Sequence, residues 1–289
     1  MHKIAVLVDS SSYLTSTDLT NFGIFQINNP IVMGQQVFHE NEDWATPADF
    51  YTFQAQATEP LTTSQPEVGV WLSKFEELAQ AGYTDVIVVV LSSGISGTFS
   101  TVQALAQGET ALRVHPWDSK ITVLGEGNQA KLAARLVQAG QNVPTILTAL
   151  TQLRATTQVR FAVDDIKHLQ RTGRISGGQA TLGSLLNIKP LLTFDDAGKI
   201  IAIGKERAMK RAWKKIQADF ATAYAASDRP LRATIVDGGQ QQLADEWARE
   251  LQALYPDVVV ERGIIGPYIG VHTGEKAMGL IWAADFEKL

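Results

Sequence analysis

Several short segments place hydroxyl, guanidinium or imidazole groups where an anion could be held. In SSGISGTF, residues 92–99, Ser96 lies between an apolar run and a helical stretch. A serine on such a turn is the setting of the nucleophile elbow G-x-S-x-G, but Gly94-Ile95-Ser96-Gly97-Thr98 puts threonine where the last glycine belongs. The setting still suits an anion. The first amides of a helix are unpaired, its dipole favours negative charge, and Ser96 adds a hydroxyl donor. A plain helix cap and tight turn is the alternative. In LTTSQPEVGVWL, Thr62, Thr63 and Ser64 precede Gln65-Pro66-Glu67. Pro66 suits a first helical position and Glu67 a first turn, so by itself this reads as an ordinary helix start.

Other segments carry weaker signals. GEGNQA, residues 125–130, has the form of the dinucleotide fingerprint G-x-G-x-x-A. Glu126 would repel a pyrophosphate, and no acidic residue follows at the distance needed for a ribose partner, which argues against a nicotinamide or flavin site. No G-x-x-x-x-G-K-[ST] occurs. Arg171 and Arg174 stand in the glycine-rich IKHLQRTGRISGGQATLG, where they could fork onto a carboxylate or phosphate, or simply be solvated. KERAMKRAWKKIQADFATAYA reads as a basic helix with Lys205, Arg207, Lys210, Arg211, Lys214 and Lys215, a solvated face or a dock for an acidic partner. His272 lies in GIIGPYIGVHTG, which reads as strand-like. The five histidines (2, 39, 115, 168 and 272) show no metal-ligand spacing, so no metal site is expected.

The elements that must position these groups alternate in kind. KIAVLV, DVIVVVLSS and KITVLGEG are apolar strand-like runs, and VGVWLSKFEELAQAG and NQAKLAARLVQAG carry helical periodicity ending in glycine. Continuous apolar strands alternating with helices predict a parallel sheet covered on both faces, with ligands beyond the carboxyl ends of its strands. That edge is expected at Asp9-Ser10-Ser11-Ser12, Ser92–Gly97 and Gly125-Glu126-Gly127. A helical stretch from about 145 to 159 leads to a second half that starts with VRFAVDDIKHLQ. There NIKPLLTFDDAGKIIAIG reads as a hairpin turning at Asp195-Asp196-Ala197-Gly198, beside LRATIVDGG and DVVVERGIIG strands. This pattern predicts an α/β protein of two domains, residues 1–158 with a three-layer parallel sheet and residues 159–289 with an α+β mixed sheet.

Composition agrees. At 289 residues, two domains are natural, given roughly 100–200 residues for each. The net charge of −5 disfavours nucleic acid or an anionic membrane as the main partner. With no cysteine, disulfides, thiolate catalysis and cysteine-held metal are excluded. Ile4–Val8 is too short for a signal or spanning segment and no later run is long enough, so a cytoplasmic protein without stable membrane insertion is expected.

These pieces occur in one order: VDSSS, TSQP at 63–66, SSGISGTF at 92–99, WDSKITVLGEG at 117–127, HLQRTGRIS at 168–176, LLNIKPLL at 185–192 and IGPYIGVHTG at 265–274. Together they resemble the DegV family of fatty-acid-binding proteins over essentially the whole chain. The resemblance implies two domains with a lipid buried between them. It implies a long-chain fatty acid such as palmitate, stearate or oleate as ligand, with no other cofactor. The implied role is non-catalytic: the carboxylate is presented to a separate ATP-dependent fatty-acid kinase subunit that makes an acyl phosphate. By motif position, the implied ligand residues are Thr63, Ser96 and Gly97, with His272 across the cleft and Arg174 and Arg207 at the head group or kinase. Arg171-Thr172-Gly173-Arg174 stands for the common Lys-Gly-Gly-Arg, and HTGEKAMG for HTGPGALG, which alters loop geometry and the kinase contact more than binding. Two rival functions stay open at this point: an acyl esterase or thioesterase using Ser96 and His272, and a sensor for another hydrophobic anion without a kinase.

Overall fold

A computed structural model of the chain describes residues 3–40, 42–108, 111–175 and 188–289. His2, Ser176–Gly183 of the glycine-rich segment and Leu185–Asn187 of LLNIKPLL lie outside the described residues. In chain order the elements are β1 (Ile4–Asp9), α1 (Ser16–Phe22), β2 (Ile24–Ile27), β3 (Pro30–Met33), β4 (Gln36–His39), α2 (Pro47–Gln56), β5 (Thr62–Thr63), α3 (Val68–Gln80), β6 (Asp85–Val90), α4 (Thr98–Ala106) and β7 (Arg113–Asp118). Then follow α5 (Leu124–Gln138), α6 (Val143–Thr156), β8 (Gln158–Ala162), α7 (Lys167–Arg171), β9 (Lys189–Phe194), β10 (Ile200–Glu206), α8 (Met209–Ala226), β11 (Leu231–Asp237), α9 (Gln241–Leu254), β12 (Val259–Ile264), α10 (Pro267–Thr273) and β13 (Met278–Ala284).

The first sheet, β2-β1-β6-β7, is all parallel. Every residue of β1 and β6 is buried, because successive side chains point to opposite faces and both faces are covered. Val6, Val8, Ile87 and Val89 pack with α5 and α6. Leu7, Val86, Val88 and Val90 pack with Trp71, Phe75 and Leu78 of α3 and Val102 of α4. The fold is α/β, as the alternating runs predicted.

The second sheet runs β10-β9-β8-β13-β11-β12 and is mixed, with β11 and β12 parallel and the other pairs antiparallel. One face packs against α8 and α9, where Trp213 stacks on Trp247 with centroids 4.2 Å apart. The opposite face offers Val159, Phe161, Leu192, Ile200 and Ile281 to Leu91, Ile121 and Val123 of the first half, so one core is built from both halves. A small antiparallel sheet, β4-β3-β5, sets Thr63 opposite Ile31.

The two halves also meet at a hairpin tip. β9 and β10 form the expected hairpin, and Gly198 in its turn accepts a 2.7 Å hydrogen bond from Ser92 Oγ. A Cβ on Gly94 would stand 2.1 Å from the Gly198 carbonyl oxygen, so this approach needs glycine. Among the described residues no helix is long and apolar enough to cross a membrane.

Three local readings are corrected. KITVLGEG is no strand: β7 ends at Asp118, and α5 starts at Leu124 and runs through both glycines. Those glycines do not stop an element; they let α5 press close, since a Cβ on Gly127 would meet the Ser12 carbonyl oxygen at 3.0 Å. Pro66 does not open a helix either, because α3 begins at Val68, and Thr63 belongs to β5. Lys205 closes β10 and Arg207 follows it, so neither lies on the basic helix, which starts at Met209.

Candidate functional site

A cavity lies between the two sheets. Its walls are mostly aliphatic or aromatic, from Leu91 and Ile95 to Phe161, Phe194 and Ile281, and its polar side chains include Thr63, Arg174, Tyr268 and His272.

These polar groups meet one another. Thr63, on β5, has Oγ1 2.8 Å from His272 Nε2. His272 is buried, and burial, then the positive Arg174 and Arg171, push its pKa down to about 3. The imidazole is therefore neutral near pH 7, with its buried Nδ1 unpartnered among the described residues. The Tyr268 ring stands edge-on to it, 6.4 Å between centroids. Tyr268 donates to the Ser64 carbonyl at 3.3 Å, and the Thr63 and Ser96 side chains are also within its reach. Burial, then the charge of Asp9, raises its pKa, so the phenol keeps its proton and remains a donor. Arg174 is half-buried, anchored through Nη1 to the Thr172 carbonyl at 2.6 Å. It is the only Lys or Arg on the described cavity wall.

Ser96 combines the two readings of its segment. Its Oγ accepts from Thr98 N at 3.2 Å, which braces the start of α4, and it reaches the Tyr268 phenol at the rim. Gly97 caps α4, and a Cβ there would stand 3.0 Å from Gln65 Oε1, so glycine lets the two loops approach. Arg207 is not brought to the cavity. It is exposed, seven residues beyond the wall residue Ile200, and a strand of that length spans roughly 20 Å.

His272 lies on α10 and not on a strand. The glycines that made the segment look extended instead let α10 pack on aromatic rings. A Cβ on Gly266 would meet the Tyr13 ring at 2.3 Å, and one on Gly270 the Phe50 ring at 2.9 Å. Tyr268 was the residue missed. It precedes His272 by four positions, the spacing that puts two side chains on one helix face.

The first half holds α10 in place. Glu40 Oε2 accepts from Tyr268 N at 3.1 Å, and Tyr13 OH accepts from Ile269 N at 3.1 Å. The Asp9-Ser10-Ser11-Ser12 segment is buried bracing and does not line the cavity. Asp9 accepts from Ser11 N, Ser11 Oγ, Asn29 Nδ2 and Leu91 N, tying three loops together. Among the described residues no cluster of three metal-ligating side chains occurs.

The DegV family profile, described as one of uncharacterised proteins, matches residues 3–285. The chain belongs to the DegV family. A DegV domain-containing protein of Listeria innocua is 34% identical over 281 residues, covering 97% of this chain and 98% of the relative. The crystal structure of DegV from Bacillus subtilis, a fatty-acid-binding protein, is 35% identical with a TM-score of 0.89, over 98% of this chain and 100% of that one. A fatty-acid-binding DegV family protein from Streptococcus agalactiae is 27% identical with a TM-score of 0.90, over 98% and 99% of the two chains. The two-sheet architecture is thus that of the DegV fatty-acid-binding structures.

Proposed function

We propose that this protein binds one long-chain fatty acid, such as palmitate, stearate or oleate, and presents its carboxylate to a separate ATP-dependent kinase for conversion to an acyl phosphate. The observation that carries the binding is the joining of Thr63, Tyr268 and His272, beside Arg174, in a cavity that is otherwise mostly apolar. A carboxylate needs donors when buried, and these supply hydroxyls, a phenol, an imidazole and a cation. Burying a tail of ~16 carbons at roughly 0.8 kcal/mol per methylene yields a gross gain near ~12 kcal/mol before ordering costs. Ser96 and Gly97 complete the rim in this reading.

The protein's part is binding, not catalysis. His272 turns Nε2 to Thr63, and Ser96 Oγ pairs with Thr98, which does not favour a Ser96–His272 esterase. Transfer of phosphate requires ATP-binding machinery, which a partner would bring. The exposed Arg207 suits a contact with that partner better than with the buried ligand. Residues 1–158 and 159–289 would be the two domains that enclose the ligand, since the chain passes between the sheets where α6 gives way to β8.

Native mass spectrometry of the purified protein tests this reading. One fatty acid is expected per chain, with much lower retention in the Thr63→Ala/Ser96→Ala double variant. Protein free of lipid after expression in a lipid-rich cell would refute binding, and undiminished retention in the double variant would refute the head-group assignment. Failure to capture a kinase from the source cell would leave a carrier without that role.

A further inference from the structure

The cavity has a second neighbour. A separate cleft opens on the other side of three wall residues, Ile121, Val159 and Phe194, which line both spaces. None of Thr63, Arg174, Tyr268 or His272 lines that second cleft. Of the three, Ile121 and Val159 are buried, whereas Phe194 is part-exposed at the end of β9, tilted against Phe161 with centroids 6.3 Å apart. Beyond this wall the surroundings change. The second cleft is lined by Lys120, Arg154, Arg160, Thr193, Asp195 and other mostly polar residues. A hydrocarbon chain that passed the wall would leave apolar contacts for polar, hydrated ones, and each further methylene would gain nothing from burial.

We infer that Phe194 is a chain-length determinant, the part-exposed ring of a partition that ends the acyl tunnel. The inference rests on the fatty-acid reading above. It assigns this protein to chains that stop at the wall, and it makes the side chain at position 194 the setting of the limit. Ile121 and Val159 are fixed parts of the same partition, because neighbouring core residues hold them. Phe194 sits where the hairpin begins its turn, and the ring can be replaced with little change to the strand pairing of β9.

The test is a competition between stearate and eicosanoate for delipidated protein, read by native mass spectrometry. The two acids differ by two methylenes. Phe194→Ala is expected to raise the eicosanoate-to-stearate ratio by roughly tenfold, the factor for two methylenes buried in the space the ring vacates. Phe194→Trp, with a larger ring, is expected to lower it. Two variants moving the ratio in opposite directions separate a length limit from general loosening of the fold. Unchanged ratios in both, with both acids still bound, would overturn the inference and leave fatty-acid binding intact. If the parent protein binds neither acid, the fatty-acid reading falls and this inference falls with it.

Discussion

Replacing Glu40 by glutamine tests the bracing behind the head-group site. Glu40 is only 5% exposed, and one carboxylate oxygen accepts from Tyr268 N. Burial is the main reason its pKa rises from 4.5 to about 7; the Asp9 charge adds to it, and hydrogen bonds from Ser10, Tyr268 and Tyr13 oppose it. A carboxyl whose pKa is raised by folding binds its proton more tightly in the native state. Its contribution to stability is present below pH 4.5 and is lost as the pH climbs to about 7. At about 1.4 kcal/mol per pH unit, that window corresponds to about 3 kcal/mol, a sizeable part of the roughly 5–15 kcal/mol that stabilises a domain. Glutamine keeps a carbonyl acceptor for Tyr268 N and does not titrate. Urea unfolding of delipidated protein at pH 5 and pH 8 reads the difference, since bound ligand would add its own stabilisation. Glu40→Gln is expected to gain up to about 3 kcal/mol over the parent between those values. Asp9, Glu126, Tyr13 and Tyr51 are common to both proteins, so the comparison isolates position 40. Identical pH dependence in the two proteins would refute the argument.

Two further outcomes follow from the same geometry. Arg174→Gln removes the one Lys or Arg on the described cavity wall, and a hydrogen bond to a charged group is worth about 1.5–3 kcal/mol, so fatty-acid affinity is expected to fall roughly 10–100-fold in competition binding. Gly94→Ala puts a Cβ 2.1 Å from the Gly198 carbonyl oxygen, and the forced shift should cost about 1–3 kcal/mol, visible as a lower Tm; an unchanged Tm would show that the hairpin tip does not bear on stability.

Legibility followed the range of the signal. β1 and β6 were plain because a strand buried on both faces is a continuous apolar run, and the β9–β10 hairpin because its turn residues are diagnostic. The failures were at glycine. Gly127, Gly266 and Gly270 lie within or at the start of helices, where they admit a backbone or an aromatic ring. A local reading takes them for breakers, because the partner that needs the space is distant in sequence. The same blindness hid Tyr268, whose role depends on Thr63 from a strand more than two hundred residues earlier. Glu40 lies in the polar stretch HENED, and its burial follows only from the small sheet folding over α10. Val123 shows the limit sharply. Its φ of 59° is a strained value for a β-branched residue, held by a hydrogen bond from its N–H to the Ser11 carbonyl, which apolar patterning does not encode.

The charge arrangement explains why this end of the cavity uses so few cations. Behind the site lie three buried carboxyls, Asp9, Glu40 and Glu126, and burial shifts each toward its protonated form. Were all three charged, their field would oppose an incoming anion across a low-dielectric interior. Burial disfavours that charge, and in the proposed function Arg174 acts on the anion while Thr63, Tyr268 and His272 serve as neutral hydrogen-bonding partners. A second guanidinium or an ammonium at the His272 position would itself have to be desolvated, at a cost that attraction to one carboxylate recovers only with near-ideal geometry. A neutral imidazole avoids that cost, and burial together with Arg174 and Arg171 keeps it neutral. The desolvation that weakens the fold at high pH through Glu40 is therefore the condition that leaves the proposed head-group end receptive to a single negative charge.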